Sequence, residues 1–185
     1  MNRNNDSDMK IYVKKSALEQ SDFDGLAKNI DFHKENGNKQ KAEELGRELA
    51  KLKPTDSELN ISLSKEDSTS AILYQARVLI TFLCGRAMRE NIPSQILSDT
   101  ARNAMYDELK ESEPGYYCNI ADGAAFSFYR LALKKDGDKA AFAGKEFAKL
   151  CSAQNDESLI DLGAEIYKNA LSYITDRILK SEFKY

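Results

Sequence analysis

The chain is 185 residues long, 42% hydrophobic and 31% charged, with a formal net charge of −3. These values suit one globular domain, or a domain with an appendage, and exclude a chain too polar to fold. The slight acidity gives no overall pull toward nucleic acid or an anionic membrane, so neither is expected as a partner.

Residues 1–8 are polar and read as a disordered start. Met9, Ile11 and Val13 alternate with polar neighbours, as do Leu59, Ile61 and Leu63. Each set predicts an extended connector whose apolar side chains tuck against helices, or else one strand of a small ribbon. Between them lies a predicted helical hairpin. Ser21 or Asp22 is expected to cap its first helix, with Phe23, Leu26, Ala27 and Ile30 on the packed face. Gly37 supplies the left-handed end of that helix. The second helix runs over about 39–52, with Ala42, Leu45, Leu49 and Leu52 on one face, and Pro54 stops it. The other faces are charged, which places both helices at a surface. Residues 9–54 thus form an N-terminal segment and hairpin, and 55–67 a polar linker.

The main body is predicted over 68–185 as five helices. The first, about 68–91, is the most apolar part of the chain. From Ala71 to Cys84 eleven of fourteen residues are apolar. A helix apolar on nearly every side must be surrounded, which makes it the central rod. The apolar run itself is short for a membrane span and contains Arg77. Ser94, just after Pro93, is expected to cap the helix at about 95–111, which Pro114 and Gly115 end. Residues 116–122 read as an irregular segment. The next helix, about 122–135, is capped by Asn119 or Asp122 and rich in Ala and aromatic residues; it is expected to be the rod's closest partner. A turn at Asp136, Gly137 and Asp138 leads to a helix over about 139–152. The last helix starts near Asp156, with Ser158 and Asp161 as a variant capping box. The fold class is therefore all-α: a multi-helix bundle around 68–91, carrying an N-terminal hairpin.

The hairpin is similar in size to a tetratricopeptide repeat, with Leu26, Ala42 and Pro54 at matching positions. Asn29, His33 and Gly46 depart from that pattern and no 34-residue period follows, so no family is claimed.

The three cysteines are widely spaced and form no C-x-x-C pair, which points to reduced thiols in a cytoplasm. The polar N-terminal residues show no secretory signal. Size and composition read as bacterial. His33 is the sole histidine, which rules out the two-histidine metalloprotease and di-iron motifs. It is expected to be a solvated surface residue. No phosphate-binding glycine motif is present, and no cofactor, metal or catalytic residue is assigned. Gly85, Gly123, Gly144 and Gly163 are read as close helix crossings, any of which could instead line a ligand gap.

Arg77, Thr81, Gly85 and Arg89 recur every four residues as a polar stripe on the central helix, with Arg86 beside it. Either the Arg stems cover apolar neighbours and reach solvent, or the stripe lines a groove where Arg pairs with a carboxylate such as Asp122 or with an anionic ligand. Around Glu113–Asn119, Tyr116 and Tyr117 either anchor a partner or close over the bundle end, with Cys118 as a small buried residue. The leading functional expectation is a non-enzymatic cytoplasmic protein that mediates protein–protein interaction or self-association, as in a homodimer. The alternative is a small-ligand-binding bundle, or an enzyme, with an interhelical Arg/Tyr pocket built from Arg77, Thr81, Arg86, Arg89, Tyr116, Tyr117 and Asp122.

Overall fold

The computed structural model describes residues 17–63 and 70–184. The expected disordered start and the apolar alternation at 9–13 lie outside those residues. The described chain is all-helical: α1 (Ala17–Glu35), α2 (Asn38–Ala50), α3 (Ser70–Asn91), α4 (Gln95–Ser112), α5 (Pro114–Ala121), α6 (Ala125–Ala132), α7 (Lys139–Leu150) and α8 (Glu157–Lys180), with a 3₁₀ turn at Ser57–Leu59. Among the described residues there is no strand. Leu59 is buried in its turn, and Ile61 and Leu63 pack half-buried on the core.

The helix ends follow local chemistry. Gly37 takes the left-handed conformation (φ 78°) between α1 and α2. The Ser94 side chain accepts the Leu97 amide at the start of α4, and Asp138 accepts the Ala140 and Ala141 amides at the start of α7. Asp156 does the same for Ser158 and Leu159 of α8. Ser158 therefore lies inside the first turn and not at the cap, because the carboxylate two residues earlier reaches both free amides. α1 begins at Ala17, so Ser21 and Asp22 are interior positions, not caps. The strong helix formers Ala17 to Gln20 extend it backward.

α3 is the central rod, as its apolar run predicts: Ala76, Val78–Phe82, Leu83, Cys84, Ala87 and Met88 are all buried. Residues 71–91 are long and apolar enough to cross a membrane by length and composition, and more than half of that stretch is buried inside the bundle. Its main partner is α8, not the 122–135 segment. The reason is length. α8 is 24 residues long and presents a continuous face from Leu159 to Ile178, whereas α6 has only eight residues. α6 starts at Ala125, with Ala124 at the N-cap position rather than Asn119 or Asp122, and it leaves Phe128 and Leu131 exposed. The body also has six helices, not five. Residues 114–121, expected to be irregular, form α5, with Pro114 in its first turn, where a missing amide costs nothing.

Two pairs of helices meet at glycine. A Cβ on Gly46 of α2 would lie 2.1 Å from the Ala101 carbonyl oxygen of α4; one on Gly144 of α7 would lie 2.2 Å from the Ile160 carbonyl oxygen of α8. Gly163 meets Phe147 and Gly144 at the same α7–α8 crossing. Gly85 and Gly123 do not belong to this class. A Cβ on Gly85 would touch only the Tyr106 hydroxyl at 3.5 Å, and Gly123 is crowded by its own preceding turn.

The hairpin contributes unequally. α2 buries Ala42, Leu45 and Leu49 against α4. Leu26, expected on the packed face of α1, is 47% exposed, and Ala27 is exposed too. His33 is the opposite case. It is 5% exposed, not solvated: Nδ1 meets the Asn38 side chain at 3.1 Å and Nε2 meets Ser94 Oγ at 3.1 Å.

Candidate functional site

The polar stripe on α3 separates into two environments. Arg77 and Arg89 are twelve residues apart, about 18 Å along a helix, so they serve different ends of the bundle.

At the Arg77 end the charges are neutralised. The Arg77 guanidinium forms a two-pronged pair with Glu113, whose Oε1 accepts from Nη2 at 2.6 Å. The pair raises the Arg77 pKa and holds Glu113 below its ordinary value, in both cases chiefly through that hydrogen bond. The carboxylate is thus Glu113 and not Asp122, which is exposed at the end of α5. The guanidinium carbon also lies 4.2 Å from the centre of the Tyr116 ring. Thr81 donates to the Arg77 carbonyl at 3.0 Å, so the 2.8 Å contact between Thr81 and Tyr116 has the tyrosine as donor. Burial pushes the Tyr116 pKa well up, which keeps that proton in place. Tyr116 is buried and Tyr117 half-buried against the core, whereas Cys118 is exposed rather than buried. This end is a clasp joining α3 to α5, whose Arg77, Glu113 and Tyr116 also line an open groove with Lys53, Pro54 and Tyr74.

The Arg86–Arg89 end is different. Phe82, Gly85, Arg86, Arg89 and Glu90 of α3 face Arg102 and Tyr106 of α4, and Phe126, Arg130 and Lys134 in and after α6. Together they line a cavity of about 250 Å³. The spacings follow helical periodicity: 82, 85, 86, 89 and 90 on α3, 102 and 106 on α4, 126 and 130 on α6, with 134 in the turn just after it. Five cations meet one carboxylate on this wall. Arg86 pairs with Glu90 one turn away, through Nη2 at 2.8 Å. Arg102 pairs with Asp99 at 3.0 Å, yet its Nε is buried without a hydrogen-bond partner. Arg89, Arg130 and Lys134 form no ion pair among the described residues. Phe82 and Phe126 meet edge to face at 5.6 Å and form an apolar wall. Burial raises the Tyr106 pKa, so its hydroxyl stays protonated as a donor.

Of the seven candidate residues, Arg86 and Arg89 line this cavity. Arg77, Thr81 and Tyr116 form the clasp, while Tyr117 and Asp122 belong to neither. Sequence reasoning missed Arg102, Tyr106, Phe126, Arg130 and Lys134. Their signal is the four-residue repeat of cations and aromatics on two further helices, which carries no information about which faces meet. Among the described residues no group of three His, Cys, Asp or Glu side chains could hold a metal ion. No protein-family model matches the chain, and no curated protein or solved structure matches it.

Proposed function

We propose that this protein binds a small organic anion in the cavity between α3, α4 and α6. The observation that carries the reading is the charge count of the lining: five cations against one carboxylate, beside an aromatic wall. Like charges gathered on a partly enclosed surface repel one another, and an anionic ligand relieves that repulsion while accepting charge-assisted hydrogen bonds. The lining has no His, Cys or Ser, and Glu90, the sole carboxylate, already pairs with Arg86. That chemistry supports binding rather than catalysis. Three cysteines without any pairing pattern support a cytoplasmic setting.

Calorimetric titration at low ionic strength with phosphate, sulfate and citrate tests the reading. Arg89→Ala removes a charge whose contact with an anion is worth about 1.5–3 kcal/mol, so affinity should fall roughly ten- to a hundredfold. Gly85→Ala should fill part of the cavity and weaken binding, while the Cβ itself meets only ordinary contact. The reading fails if none of these anions binds more tightly than about 1 mM, or if Arg89→Ala leaves their affinity unchanged.

A second reading, docking of a protein partner or of a second copy, is favoured by α1. Leu26 and Phe32 are 47% and 44% exposed there and line a groove with Pro93 and Ile96. Solution mass across a concentration series, for the native chain and for Phe32→Asp, tests self-association. A monomer at high micromolar concentration removes the homodimer form of this reading.

A further inference from the structure

We infer that the anion taken by the α3–α4–α6 cavity is a small, ring-bearing phosphate monoester. The inference rests on the anion-binding reading above and adds the chemical class.

Three features select that class. The first is the kind of cation. The wall is built mainly from arginine, contributed by three separate segments: Arg86 and Arg89 from α3, Arg102 from α4, Arg130 from α6. One planar guanidinium satisfies a planar carboxylate with two parallel bonds. Guanidiniums supplied from several helices suit an acceptor whose oxygens point in several directions, which is the tetrahedral phosphate group.

The second feature is the aromatic wall. Phe82 is 8% exposed and held against both Phe126 and Tyr129, with ring centres 5.6 Å and 5.5 Å away. A flat ring placed against such a wall gains offset or edge contacts beyond simple burial. On α3 the ring of Phe82 precedes Arg86 and Arg89 by four and seven residues, about 6–10 Å along the axis. That step accommodates a ring joined through an ester oxygen to phosphorus.

The third feature is size. A cavity of about 250 Å³ lies at the lower edge of the roughly 300–1,000 Å³ usual for ligand sites. It has room for one ring and one phosphate, not for a dinucleotide.

The experiment compares inorganic phosphate, methyl phosphate, phenyl phosphate and benzoate by calorimetry on the full chain at fixed ionic strength. A phosphotyrosine-bearing peptide is the last arm. Phenyl phosphate should bind at least about fivefold more tightly than methyl phosphate and benzoate. Phe126→Leu, which keeps an apolar side chain, should erase the preference of phenyl over methyl phosphate. Arg89→Ala should weaken every phosphate arm. Equal affinity for phenyl and methyl phosphate overturns the ring assignment while anion binding stands. Benzoate equal to phenyl phosphate overturns the phosphate assignment. A peptide that binds more tightly than phenyl phosphate overturns the small-molecule assignment. If no arm binds, anion binding falls as well, and the class inference with it.

Discussion

At two joints single residues tie separate elements together. Asn38 is fully buried, and its side chain holds the Lys184 amide at 2.9 Å and the Lys184 carbonyl while touching His33. It ties the segment after α8 to the α1–α2 turn, with Lys41 bonding the Glu182 carbonyl alongside. Asn38→Ala should cost about 1–3 kcal/mol, because buried partners lose their bonds. Hydrogen exchange should show the Lys184 amide released before the core. The Arg77–Glu113 clasp predicts a pH dependence. Glu113 has a pKa below its unfolded value, so its stabilisation is present at neutral pH and is lost as pH falls through that lowered value. Arg77, shifted upward, stays charged throughout. Urea titrations from pH 7 to pH 2 should show a shallower loss of stability on the acid side for Glu113→Gln than for the native chain. An unchanged slope would mean that the pair is screened, as exposed pairs often are.

At the scale of elements, the long helices were legible because their caps and periodicity agree. Ser94 caps α4 as its place after Pro93 predicts, whereas Asp138, read as part of a turn, and Asp156, read only as the start of the last helix, prove to be the caps of α7 and α8. Short helices were not, since a proline before two tyrosines looks like a loop until its first turn packs: Tyr116 is buried under Arg77 and drives α5. The expected partner of α3 was misjudged for a related reason. Local apolar density made 122–135 look buried, but a rod of 22 residues needs a partner of similar length, and α8 supplies it. The α7–α8 crossing gives a sharp prediction. Gly163→Ala gains roughly 1 kcal/mol of helix propensity, yet its Cβ would sit 2.6 Å from the Phe147 Cβ and 2.9 Å from the Gly144 Cα. Overpacking costs about 1–3 kcal/mol and should win, lowering Tm in a thermal melt. A higher Tm would show that the crossing can slide.

The molecule as a whole is slightly acidic, yet it concentrates positive charge at one cavity. That contrast predicts a salt-sensitive, anion-specific stabilisation. Phosphate at about a hundred times its dissociation constant should stabilise the fold by about 2.7 kcal/mol. For a chain of this size that is roughly 5–10 °C in Tm. Sodium chloride at matched ionic strength should reproduce none of it and should weaken phosphate binding when added. An equal shift with both salts would indicate general screening and not a site. From the sequence alone came the helical class, the central rod, the hairpin, most helix limits and two of the cations that line the cavity, Arg86 and Arg89, because periodicity and capping are local. Tertiary structure decided the rest. It paired Arg77 with Glu113 instead of Asp122, buried His33 beneath Asn38 and Ser94, and brought Arg102, Tyr106, Phe126, Arg130 and Lys134 to face Arg89. Those outcomes depend on which helix faces meet, and that follows from length, glycine crossings and summed packing over the whole chain, which no single segment encodes.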